Sequence, residues 1–190
     1  MQTQERIKVW DPLVRVFHWS LVGAFALAYL TGEDIMSVHV VAGYTIAALL
    51  AVRIIWGFIG TRYARFSNFV YRPATVKAYL KDVLAFRARR YLGHNPAGGA
   101  MVLALLLMLV ATVLSGLLAY GVEEEAGPFA ALVAGIDGDW LEELHEFFAN
   151  GTLALVVLHV LGVITTSFQH GENLVKSMWN GYKSRQGGGE

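Results

Sequence analysis

Four histidines carry the chemistry that this sequence can offer: His18, His39, His145 and His159. His145 and His159 lie fourteen residues apart on one apolar segment, "LHEFFANGTLALVVLHVLG". In an α-helix that spacing falls only about 40° short of four full turns, so both imidazoles sit on one stripe, separated by ~21 Å along the axis. They are too far apart to share a metal. An ionisable side chain inside an apolar span is costly without a partner, which makes each histidine a candidate functional group.

The segments that must position them are long and apolar. The chain has 190 residues, 55% of them hydrophobic and 16% charged. Soluble chains carry about 25% charged residues, so this composition points to a bilayer. Four segments approach or exceed the length of a membrane helix: 13–30, 39–59, 100–120 and 147–168. The expected fold is all-α: an integral membrane four-helix bundle, with residues 1–190 forming one domain. Ala26-Leu27-Ala28 loosely resembles a signal-peptidase site, but the length of the first span and its His18 favour a retained helix.

Charge sets the expected topology. The connection 61–97 holds eight basic residues and a single acid, Asp82. The connection 121–144 holds seven acids and no base, and Glu33 and Asp34 add acidity to the short first connection. By the positive-inside rule the basic loop and both termini are cytoplasmic, and the acidic connections face outward. Within the basic loop, the run after Pro73, "ATVKAYLKDVLAFRARRYL", reads either as an interfacial helix on the anionic inner leaflet or as a solvated loop. The tail "GGGE" reads as disordered. Zero formal net charge gives no sign of a nucleic-acid partner.

On this topology the histidines sort into two depths. His39 and His145 lie at the outer level, and His18 and His159 at the inner one. His94 and His170 fall in cytoplasmic connections. Two imidazoles facing each other across a bundle can ligate one iron axially, and bundle cores are common cofactor sites. Two such pairs imply two haems b. There are no cysteines, so any haem is held non-covalently. A zinc site would gather three or four ligands, and neither level offers more than two histidines, although Glu146 stands near the outer one. A haem-free transporter would more typically bury an Asp or Glu, and the spans hold none at depth.

Other residues fit the same reading, each with a plainer alternative. Gly43, like Gly23, Gly57, Gly116 and Gly162, could let a macrocycle approach the backbone or simply allow close helix packing. Arg53 lies fourteen residues after His39, on its stripe and near the inner depth. It could pair with a haem propionate or snorkel to the interface. Arg15, one turn before His18, is a second propionate candidate. Trp10, Trp19, Trp56, Trp140 and Trp179 read mainly as interfacial anchors, with Trp19 and Trp56 also near the inner haem.

The motifs "RVFHWS" (15–20), "HVVAGY" (39–44), "YLGHNPAGG" (91–99) and "LHEFFAN…LHVLG" resemble the bacterial cytochrome b561 family, which includes b-type cytochrome subunits of nickel–iron hydrogenases. The resemblance covers essentially the whole chain. It implies a four-helix di-haem protein of the bacterial inner membrane, with His18, His39, His145 and His159 as ligands. It also implies electron exchange with the quinone pool on one side and a periplasmic carrier on the other. A c-type cytochrome is the expected carrier, since an acidic outer loop could steer a basic partner. Arg53 and Trp56 are candidate quinone neighbours. Two alternatives stand beside this reading: a haem-bearing membrane anchor subunit of a hydrogenase or other dehydrogenase, and a haem-free transporter. Hydrogenase-linked members often carry additional helical material, whereas this chain shows four spans. Monomer and dimer are both compatible with the sequence.

Overall fold

A computed structural model describes residues 6–32 and 34–185. Glu33 and the "GGGE" tail lie outside the described residues. Among the described residues the chain is all-α apart from one small ribbon. In order, the elements are β1 (Arg6–Lys8), α1 (Pro12–Thr31), α2 (Met36–Ile59), a 3₁₀ turn (Phe66–Asn68), α3 (Pro73–Leu84), α4 (Pro96–Glu123), α5 (Ala130–Val133), α6 (Asp139–His170), α7 (Leu174–Asn180) and β2 (Tyr182–Ser184). Strands β1 and β2 pair antiparallel, with Ile7 opposite Lys183. Four helices, α1, α2, α4 and α6, are long and apolar enough to cross a membrane.

The helix starts are written into the sequence. Asp11 accepts the Val14 amide at 2.9 Å, and Pro12 occupies the first helical position of α1. Asn95 does the same for the Gly98 amide at 2.7 Å ahead of Pro96 in α4. Asn173 caps α7 through the Lys176 amide at 2.7 Å, and Gly181 ends it at φ 89°, a conformation that favours glycine.

Several elements run past their apolar segments. Helix α6 begins at Asp139 and α4 continues to Glu123. Asp139 and Glu142 in the first turn of α6 suit the positive end of its dipole. After Pro73 the helix stops at Leu84 instead of following its pattern to Leu92. Phe86 takes a positive φ of 54°, and Arg87 folds back onto Asp82 at 2.8 Å.

The chain divides into two compact units, and the four long helices contribute to both. The first comprises 1–19, 52–103 and 157–190. Its core gathers Val9, Trp10, Val14 and Ala64, with Trp56, Tyr63 and Met178 packed against them. The second comprises 20–51 and 104–156, where Ala119, Val133 and Leu141 form the core beside Leu118 and Val122. Large apolar side chains stay exposed on every long helix: Leu30, Ile59, Leu107 and Phe168. Helices apolar around most of their circumference yet this exposed require hydrocarbon, not water, as their surroundings.

Candidate functional site

Each unit brings together one pair of histidines from different helices. In the second unit, His39 of α2 and His145 of α6 have ring centroids 5.9 Å apart, with the planes at 88°. The Nδ1 of His39 lies 2.9 Å from the Ala28 carbonyl oxygen. That oxygen is near the C-terminus of α1, where carbonyls lack intrahelical partners. The Nδ1 of His145 lies 3.0 Å from the Thr112 carbonyl and 3.3 Å from the Ser115 hydroxyl. A carbonyl can only accept, so both Nδ1 atoms carry the hydrogen and each Nε2 keeps its lone pair. A histidine whose Nδ1–H is fixed on a carbonyl is the usual arrangement of an imidazole metal ligand.

Glycine frames this pair. A Cβ at Gly116 would stand 2.7 Å from Cε1 of His145, so α4 can pass the ring only without a side chain there. A Cβ at Gly43, one turn beyond His39, would meet no atom within 4 Å, so helix packing does not require glycine at that position.

In the first unit, His18 of α1 and His159 of α6 have ring centroids 6.5 Å apart, at 56°. The Nδ1 of His18 is buried without a hydrogen-bond partner, as are Nε1 of Trp19 and Nε of Arg15. The Trp19 ring meets His18 edge-on at 5.0 Å and Trp179 at 5.7 Å. Arg15 donates through its terminal nitrogen to the Trp179 carbonyl. Arg53 is buried, donates to the Ala64 carbonyl at 3.1 Å and lies over the Phe66 ring at 5.1 Å. One of its terminal nitrogens has no partner. Trp56 is committed to Asp11, donating from Nε1 to Oδ2 at 3.1 Å.

The structure adds His94, which the sequence placed only in a connection. Its ring packs between Trp10 at 4.7 Å and Phe69 at 4.6 Å, with planes tilted by 59° and 50°. Burial, and then the positive charges of Arg53 and Lys183, push its pKa down to about 3, so it stays neutral. A glycine–His–Asn turn just ahead of a helix-starting proline was the only local signal.

The donor set decides what these pairs can hold. Among the described residues no group of three or more His, Cys, Asp or Glu comes together to hold a metal ion. A protein-only metal site is therefore unsupported, while an ion bringing its own equatorial ligands needs only two axial donors. An imidazole nitrogen sits about 2 Å from a transition metal, with its ring centre about 1 Å further. Two trans imidazoles on one ion thus have centroids about 6 Å apart, and separations of 5.9 and 6.5 Å bracket that value. The unpartnered cationic nitrogens of Arg15 and Arg53 could receive carboxylates of the same group.

A family model described as prokaryotic cytochrome b561 matches residues 9–181. Among similar proteins, a probable Ni/Fe-hydrogenase 1 B-type cytochrome subunit of Escherichia coli (strain K12) is 25% identical over 217 residues, covering 95% of this chain and 92% of that protein. A probable Ni/Fe-hydrogenase B-type cytochrome subunit of Cupriavidus necator is 25% identical, covering 93% and 86%. Its counterpart in Rhodobacter capsulatus is 23% identical, covering 94% and 81%.

Proposed function

The chain belongs to the prokaryotic cytochrome b561 family, and from that premise we propose that it relays electrons across the bacterial inner membrane through two b-type haems. It is a multi-pass bacterial membrane protein and a haem-bearing electron-transfer subunit. The finer reading assigns His18 and His159 to an inner haem and His39 and His145 to an outer one. The basic connection and both termini face the cytoplasm. The observation that carries this reading is the presence of two His–His pairs at the spacing of trans imidazoles.

Bound haem supplies a one-electron couple. The chain's own residues fix its surroundings. Ala28 and Thr112 hold the outer imidazoles in one tautomer and strengthen them as donors. His39 with His145, and His18 with His159, would hold the haem iron, and a haem held by two imidazoles would serve one-electron transfer. Arg15 and Arg53 offer cationic nitrogens to propionates at the inner level. Quinone on one side and a periplasmic carrier such as a c-type cytochrome on the other complete the route.

A second reading is favoured by the names of the relatives, each a probable Ni/Fe-hydrogenase B-type cytochrome subunit. In it, this chain anchors a periplasmic redox subunit and takes that subunit's electrons. Both readings share the haems and differ in the donor. The deciding experiment follows the reduced low-spin b bands of the purified protein during titration with quinol analogues and with candidate periplasmic carriers. Two haems per chain, reducible from both sides, are expected. A spectrum lacking b bands would sink both readings. Co-purification of a stoichiometric periplasmic dehydrogenase subunit would select the second.

A further inference from the structure

Two buried nitrogens of the first unit have no hydrogen-bond partner among the described residues: Nδ1 of His94 and one terminal nitrogen of Arg53. Both side chains lie against one ring. That ring is Phe69, 1% exposed, with its centroid 4.6 Å from the His94 ring and 5.9 Å from the Arg53 guanidinium carbon.

Each side chain is held in place by its neighbours. The His94 imidazole packs between Trp10 and Phe69, and its carbonyl accepts from the Tyr71 hydroxyl at 3.3 Å. The next residue, Asn95, caps α4. Glycine lets α4 start this close to Phe69, because a Cβ at Gly99 would run into the Phe69 carbonyl oxygen. Arg53 is fixed by the Ala64 carbonyl and the Phe66 ring. A buried polar atom left without a partner costs free energy, and native structures rarely keep one without a cause.

The chemistry of the two atoms narrows the cause. The His94 imidazole is neutral, so it carries one hydrogen, and a nearby acceptor places that hydrogen on Nδ1. A guanidinium N–H and an imidazole N–H together match the two oxygens of one carboxylate. Hydrogen bonds from a cationic donor are strongest on an ionised acceptor, which favours a carboxylate over a neutral carbonyl. His159 belongs to the same unit, and its field reaches the His94 ring. On the reading that His18 and His159 hold a haem, we propose that His94 and Arg53 together grip one of its propionate carboxylates. His94 donates from Nδ1 and Arg53 from its free terminal nitrogen. In this arrangement α2 and the lead-in to α4 are joined to the helices that carry His18 and His159.

The test follows haem loss from the purified holoprotein to excess apomyoglobin. It is run beside infrared redox-difference spectra of protein carrying haem labelled with carbon-13 at its propionate carboxyls. His94→Leu and His94→Phe both remove the nitrogens and keep an apolar group between Trp10 and Phe69. The one that retains the parent's helical circular dichroism is compared with His94→Gln, which keeps an N–H donor. A hydrogen bond to a charged group is worth about ten- to hundredfold in affinity, so the apolar variant should release the inner haem faster by that factor. The outer haem should leave at the parent's rate. One labelled carboxylate band should shift in the apolar variant and return toward its place in His94→Gln. Arg53→Gln should move the same band. Faster loss in the apolar variant and in His94→Gln alike, with the band unmoved, is the mark of a packing role and overturns the assignment. A parent-like rate and band in the apolar variant overturn it too, and weaker binding of a quinone analogue there would give the donor to a quinone oxygen instead. A parent protein without a haem at His18 and His159 overturns the electron-transfer reading and this inference together. Two haems with no response at His94 leave that reading standing and remove this inference alone.

Discussion

Gly116 on α4 lies directly against the imidazole of His145 on α6: an added Cβ would stand 2.7 Å from Cε1 and 2.9 Å from Nδ1. No real Cβ sits that close, so Gly116→Ala must push the ring away. The ring is also tied at Nδ1 to the Thr112 carbonyl, one turn before Gly116 on α4, and to the hydroxyl of the adjacent Ser115. A displaced ring loses its aim as well as its space. The expected outcome is about half the haem content per chain, with the outer signal lost and the inner one kept. Pyridine haemochrome quantification against protein concentration reads this directly.

The pairing itself predicts separable losses. His159→Ala is expected to remove the haem shared with His18 and spare most of the other. His145→Ala should do the opposite. Low-temperature reduced spectra of the two variants should then differ from each other and sum to the parent. If both signals survive either substitution unchanged, the assignment of His18 with His159 and of His39 with His145 is wrong.

Thr152 is fully buried and meets the Thr112 hydroxyl at 3.1 Å between α6 and α4. Thr112 already donates to the Met108 carbonyl at 2.8 Å, so Thr152 is the donor of the pair. Interhelical hydrogen bonds in membranes average about 0.6 kcal/mol. Thr152→Val keeps the volume and should destabilise by about that amount, read as a small downward shift of thermal unfolding in detergent at unchanged haem content.

What the sequence made legible follows from what reports locally. Apolar length gave four spans, and helical rise together with the ends of those spans gave depth. From depth alone His18 could be matched with His159 and His39 with His145, and the structure brings both pairs within ring-contact distance. The Nδ1 partners were not legible, because the Ala28 and Thr112 carbonyls are backbone groups on other helices. The packing of His94 was invisible because Trp10 and Phe69 come from distant segments of the chain. Arg90 read as one more basic loop residue. Its partner Glu172 lies 82 residues away, and only the fold joins them. The β1–β2 ribbon escaped because three residues per strand carry no readable alternation.

Asp11 predicts a pH dependence of stability. Burial alone would raise its carboxyl, but hydrogen bonds from Thr61 at 2.5 Å, the Val14 amide and Trp56 outweigh this and hold it below its ordinary 3.8. The folded chain therefore binds the proton less readily than the unfolded one. The stabilisation is complete above the ordinary aspartate value and is lost as pH falls through it toward the lower folded value. In Asp11→Asn the amide nitrogen would face the donors Trp56 and Thr61, at a cost of about 1–3 kcal/mol. The variant should unfold at lower temperature near neutrality and lose less stability than the parent on acidification below pH 4. Parallel melting curves across that range test both halves.

Arg53 predicts a potential shift confined to one haem. The guanidinium is buried, held by the Ala64 carbonyl and the Phe66 and Phe69 rings, and belongs to the same unit as His18 and His159. A fixed positive charge favours the reduced, more electron-rich state, so it would raise the midpoint potential of a haem held by His18 and His159. Arg53→Gln removes that charge while keeping a donor toward Ala64. At an effective dielectric of about 20, a unit charge several Ångströms away is worth about 1–2 kcal/mol, or roughly 40–90 mV for one electron. The inner midpoint should fall by that order and the outer one should hardly move. A purely structural role for Arg53 would lower haem occupancy without moving the midpoint of the haem that remains. Spectroelectrochemical titration of Arg53→Gln beside the parent protein separates the two, and equal shifts in both haems would contradict the placement of Arg53 at the inner site.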